Sequence, residues 1–150
     1  MKILFAAFKG MYNTSFQFVD QTGADYVLLT NSFQGLKKDI FAINRNYDIV
    51  YMFGVDKHLT DKIRIETCAK DDSETLHTDF TISSLEENLR AGEISYTVSN
   101  KPTCYLCNAA YYHMLKKNPN TVFIHIPSIG GMTTELMKKL ITVFRHLYSA

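Results

Sequence analysis

The strongest constraint in this sequence is a set of short, almost unbroken apolar runs, each about the length of a β-strand. They are Lys2 to Phe8, Asp25 to Thr30, Tyr47 to Phe53, Lys62 to Ala69 and Thr121 to Ile126. Continuous apolar strands belong to sheets covered on both faces, whereas a strand with one wet face alternates. Helical patterns lie between the runs. Ser32 to Arg45 carries Phe33, Leu36, Ile40, Phe41 and Ile43 on roughly one stripe, with Ser32 as its N-cap. Ser83 to Arg90 is predicted as a short helix in which Ser83 caps, Glu86 completes a capping box and Gly92 stops the chain. Thr103 to Lys117 is predicted as a helix ended by Asn118-Pro119, and Thr133 to Tyr148 as a final amphipathic one. Strands alternating with helices in this way predict a three-layer α/β/α sandwich with a mostly parallel sheet. With 150 residues, no internal repeat and no linker, the chain is predicted to form a single domain over residues 1–150.

Composition narrows the function classes. The formal net charge is +1 and the basic residues are scattered, so neither a nucleic-acid footprint nor a polybasic membrane patch is expected. No apolar run approaches the roughly 20 residues of a membrane span. The apolar N-terminal run is closed early by Lys9 and reads as a buried first strand rather than a signal peptide. Three cysteines, Cys68, Cys104 and Cys107, make an odd count and are expected to be free thiols in a reducing cytoplasm. The expected location is therefore cytoplasmic.

Open α/β sheets place their sites beyond the carboxyl ends of the strands. Three segments near such positions carry reactive side chains. Pro102 and Thr103 suit a helix entry, which sets Cys104 and Cys107 in or near a first turn. Either unpaired N–H groups and the helix dipole there favour a thiolate, or the two cysteines are buried, inert residues that fill space. His125 ends the apolar run Val122 to Ile126, and is either a hydrogen-bonded core residue or a general base. The 18 residues from Cys107 to His125 (125 − 107) allow one helix and a returning strand, which brings thiol and imidazole to the same edge. Glu66 lies in an alternating stretch with Arg64. Either both face solvent, or Glu66 is the carboxylate that orients an imidazole.

Two of these segments carry specific motifs. Tyr105-Leu106-Cys107-Asn108 and Phe123-Ile124-His125-Ile126-Pro127, in that order, resemble the nucleophile and base motifs of the pyroglutamyl peptidase I family of cysteine peptidases. Val98-Ser99-Asn100 is similar to that family's approach to its cysteine. The run ending in Gly54, followed by Ile65-Glu66-Thr67-Cys68-Ala69 and Asp71-Asp72, resembles the surroundings of its acidic residue. The opening strand and Asn13-Thr14-Ser15 are similar to the family's start. The resemblance implies a hydrolase-like α/β/α fold and a thiol peptidase that removes an N-terminal pyroglutamyl residue. It assigns Cys107 as nucleophile, His125 as base and Glu66 as orienting residue, with Phe8 and Tyr12 as substrate contacts. It implies no metal and no cofactor, a peptide with a blocked N-terminus as substrate, and a homo-oligomer.

The chain departs from the family in its first loop, where Phe8-Lys9-Gly10-Met11-Tyr12 replaces a glycine-rich aromatic stretch. Val55-Asp56-Lys57-His58 replaces a second glycine-rich stretch, and Pro102, Thr103 and Cys104 replace small residues before the nucleophile. Two further readings follow. One is a triad acting on another cyclic or N-blocked amide, or only binding it. The other is a thiol redox pair at Cys104-x-x-Cys107. Zinc is not expected, because no second cysteine pair or spaced histidine pair is present.

Overall fold

The computed structural model describes residues 1–150. Six strands form the main sheet: β1 (Ile3–Phe8), β2 (Tyr26–Leu29), β3 (Ile49–Asp56), β4 (Ile63–Glu66), β7 (Tyr96–Ser99) and β8 (Thr121–Pro127). Their order is β2-β1-β3-β8-β4-β7. β2, β1, β3 and β8 are mutually parallel, while β4 runs antiparallel to β8 and carries β7 parallel to itself. The sheet is thus mostly parallel, as the apolar runs predict. β5 (Cys68–Lys70) and β6 (Thr75–His77) form a separate antiparallel pair.

Helices cover both faces because both faces are apolar. On one side α1 (Thr14–Thr22), α3 (Ile82–Ala91) and α5 (Thr134–Ser149) bury Phe18, Leu85, Leu89, Leu136, Leu140 and Phe144. These pack against Phe5, Tyr51, Phe53, Ile124 and Ile126 of the sheet. On the other side α2 (Phe33–Phe41) and α4 (Tyr105–Lys117) bury Leu36, Ile40, Ala110, Tyr111 and Met114 against Leu4, Ala6, Phe8, Met52 and Phe123. The alternating residues of each strand divide cleanly between the two clusters, as a pleat with a period of two requires. The result is the expected α/β/α sandwich.

Local chemistry accounts for most differences from the sequence expectations. The Lys62 to Ala69 run is two strands, β4 and β5, interrupted at Thr67, which bonds Ser99 O through both its N–H and its hydroxyl. α2 stops at Phe41 rather than Arg45, and Ser32 caps it as expected, accepting from the Gly35 N–H at 3.0 Å. Ser83 is not a cap: α3 begins at Ile82 after Thr81, and Gly92 closes it. α4 begins at Tyr105, two residues later than predicted, with Cys104 as N-cap. α1, β6 and β7 are additional elements. α1 has readable signals, with Asn13 accepting from the Ser15 N–H at one end and Gly23 at φ 76° at the other. Thr133 caps α5, accepting from the Leu136 N–H at 3.0 Å. No helix is long and apolar enough to cross a membrane.

Candidate active site

Strand register gathers the polar residues onto the face covered by α2 and α4. Residues directly opposite in neighbouring strands share a face. His125 of β8 is opposite Gly54 of β3 on one side and Arg64 of β4 on the other. Continuing the β1–β3 register by two residues sets Phe8 level with Gly54. Asp56 and Glu66 stand two residues along from Gly54 and Arg64, and therefore on the same face.

α4 lays its first turn over this row. Cys104 makes no side-chain capping bond, and Tyr105 follows it at φ 58°, in the left-handed region. That conformation costs a non-glycine residue about 1–2 kcal/mol and turns the chain sharply into the helix. Cys107 is the third helical residue, so its N–H and those of Tyr105 and Leu106 have no carbonyl partner within the helix. Gly54 is what admits the thiol. A Cβ there would stand 3.0 Å from Cys107 Sγ and 2.5 Å from the Phe123 ring. Two further bonds fix the helix in place. Tyr111 donates its hydroxyl to Glu66 O at 2.8 Å, and the Asn108 amide pairs with both the N–H and the carbonyl of Lys70.

The charges beside the imidazole form a compact network. Glu66 is 1% exposed and accepts from Arg64 Nε at 2.7 Å through Oε1. Arg64 Nη2 donates to Asp56 Oδ2 at 2.9 Å and lies 3.3 Å from His125 Nδ1. Glu66 Oε1 is 3.6 Å from the same ring nitrogen, beyond hydrogen-bond length. Its other oxygen, Oε2, is buried without a protein partner. The His125 ring itself is buried and packs on Phe123 with ring centroids 4.8 Å apart. Burial resists charge on Asp56, yet the His58 N–H and the Arg64 guanidinium hold its carboxyl below the ordinary range. Burial likewise opposes charge on Arg64, while Glu66 and Asp56 outweigh it and hold the guanidinium proton more firmly.

The resting thiol is neutral. Burial pushes Cys107 up to about 12, the charges of Cys104, Glu66 and Asp56 add to the shift, and Arg64 opposes it. Burial thus works against the thiolate that the helix N-terminus favours. Of the three free cysteines only Cys68 makes a side-chain hydrogen bond, to Asn100 O at 3.4 Å. Since the thiolate is the alkylated form, iodoacetamide labelling of Cys107 is expected to rise about tenfold per pH unit from roughly pH 7 to 10. Peptide mapping of the labelled protein checks this, and a rate that levels off by about pH 8 would contradict it.

Cys107, His125 and Glu66 thus share one face of the sheet beneath one helix. Phe8 is buried in the cluster on which Cys107 packs, and Tyr12 is 76% exposed on the loop between β1 and α1. Tyr105 and Asn108, close to Cys107 in the helix, line a groove with Phe33, Lys70, Asp71 and Tyr112. The sequence marks Gly54 to His58 as a segment beyond a strand's carboxyl end, but does not single out Gly54, Asp56 or, on β4, Arg64 as members of the site. A signal for Arg64 existed: two residues from Glu66 in a strand, it must share whichever face Glu66 takes. No three metal-ligating side chains come together.

Solved pyrrolidone carboxyl peptidases share this fold. The Thermus thermophilus pyrrolidone carboxyl peptidase superposes with a TM-score of 0.80 at 16% identity, covering 99% of this chain and 100% of that one. A mutant of the Pyrococcus furiosus protein gives 0.79 at 20% identity, covering 99% and 98%. The Thermococcus litoralis protein gives 0.76 at 16% identity, covering 99% and 93%. No protein-family model matches the sequence, and no curated protein matches it.

Proposed function

We propose that this protein is a cysteine peptidase that removes an N-terminal pyroglutamyl residue from peptides. Pyrrolidone carboxyl and pyroglutamyl name the same five-membered lactam acid, so the solved relatives and the sequence motifs point to one substrate group. The observation that carries the reading is the seating of Cys107 over Gly54, which is itself opposite His125.

In the reaction His125 takes the Cys107 proton at Nε2, and the sulfur attacks the pyroglutamyl carbonyl. The imidazolium returns its proton to the leaving amine, which departs as the shortened peptide. Water, deprotonated by the same ring, then hydrolyses the thioester. Glu66 accepts the Nδ1–H and stabilises the imidazolium. The unpaired N–H groups of the first turn of α4, Cys107 among them, receive the oxyanion. Phe8 backs the lactam ring, and Tyr12 closes over it from the exposed loop. The substrate is a peptide with a blocked N-terminus.

Release of a fluorescent amine from a pyroglutamyl amide, under reducing conditions, tests the reading. The native protein is expected to turn over and Cys107→Ala to lose about 10³-fold or more. A folded native protein with no turnover would remove the assignment.

A further inference from the structure

The network around His125 contains a donor where the reaction needs an acceptor. A guanidinium can only donate, so Arg64 Nη2 at 3.3 Å requires His125 Nδ1 to be the lone-pair nitrogen. A neutral ring in that state carries its proton on Nε2 and has no lone pair there to take a thiol proton. The carboxylate that would hold Nδ1–H is close but not engaged. Glu66 Oε1 is 3.6 Å away and already bound to Arg64 Nε, while Oε2 is buried without a partner. Asp56 offers the guanidinium a second seat, already holding Nη2 at 2.9 Å. The charged groups beside the ring are therefore Arg64 and Glu66 from β4 and Asp56 from β3, while the Cys107 thiol of α4 lies over Gly54, the residue opposite His125.

We infer that Arg64 is a positioning residue that latches His125 in the tautomer unable to activate Cys107, and that its withdrawal onto Asp56 switches the site on. Once Nη2 leaves Nδ1, the ring loses its Nε2 proton to solvent and gains one from solvent at Nδ1. That N–H then donates to Glu66, and Nε2 faces the thiol as an acceptor. Charge is conserved throughout, since the guanidinium moves between two carboxylates and is never deprotonated. The latch accounts for an unactivated thiol beside an otherwise complete set of groups. It rests on the catalytic roles proposed above, but its test does not require hydrolysis.

Imidazole nitrogen NMR of the unliganded protein, labelled at histidine, reads the tautomer directly. His125→Asn identifies the resonance. The native ring is expected to carry its proton on Nε2 at neutral pH, and a ring protonated on Nδ1 would overturn the latch. In Arg64→Met the proton is expected on Nδ1, held by Glu66. An Arg64→Met ring that keeps the native tautomer would also overturn it. If Arg64→Met fails to fold, the pair Arg64→Met with Asp56→Asn removes one charge of each sign and carries the same expectation. A merely structural Arg64 would leave the tautomer unchanged in either variant.

Discussion

Replacing Glu66 by alanine is expected to destabilise the protein by on the order of 3–5 kcal/mol, the usual cost of removing one partner from a buried ion pair. The carboxylate is 1% exposed and bonded to Arg64 at 2.7 Å, while Arg64 is itself three-quarters buried. With Glu66 gone, Asp56 alone remains to balance the guanidinium, and a side-chain-sized hole opens beneath α4. For a chain of this length each kcal/mol lowers the melting temperature by about 2–4 °C, so a fall of roughly 10 °C is expected. Glu66→Gln keeps the volume and one acceptor oxygen and should recover a substantial part of this loss. Thermal and urea unfolding of the two variants measure both effects. Equal stabilities of Glu66→Ala and the native protein would mean that the ion pair is not formed in solution.

Gly54→Ala is the second large effect, and it separates space from charge. The added methyl would stand 2.5 and 2.9 Å from two Phe123 ring atoms and 3.0 Å from Cys107 Sγ. Phe123 has no room to yield, since its ring lies between Tyr111 at 5.5 Å and His125 at 4.8 Å. Overpacking of this kind costs about 1–3 kcal/mol. The thiol, at the end of a short side chain, moves as well. A displacement of about 1 Å at a reacting atom costs on the order of 100-fold in rate. Gly54→Ala is therefore expected to fold, to unfold at lower denaturant, and to lose roughly 100-fold in turnover of a pyroglutamyl amide. Native activity in this variant would mean that the thiol does not sit over Gly54 when it reacts.

The sequence carried much of the architecture because burial on both faces leaves an unmistakable mark. β1, β3 and β8 are continuous apolar runs, and each was legible within a few residues. β7, at the sheet edge, exposes Thr97 and Val98 and carries no such mark. β4 was legible as a strand, but its direction was not. A parallel β4 would have set Glu66 towards the carboxyl ends of its neighbours. Running antiparallel, it places Arg64 opposite His125 and Glu66 opposite Phe123. Glu66 then reaches the imidazole only along the diagonal, with the arginine in the direct position. This is why the polar alternation of Arg64 and Glu66 was compatible with a solvent face, while both side chains in fact turn under α4. Cys107 and His125 were legible because each lies in a specific motif. The neutral state of the thiol was not, because it follows from burial by residues distant in sequence.

The exposed thiol of Cys104, one turn before Cys107, gives the chain an internal comparison. The most direct test of the account is to quench the protein with acid during turnover of a pyroglutamyl amide and map the acylated residue by mass spectrometry. A thioester to the pyroglutamyl group on Cys107, absent from Cys104 and Cys68 and lost in His125→Ala, is the predicted result. Turnover without a Cys107 adduct in a variant slowed at deacylation, or an adduct carried by Cys104 instead, would contradict it.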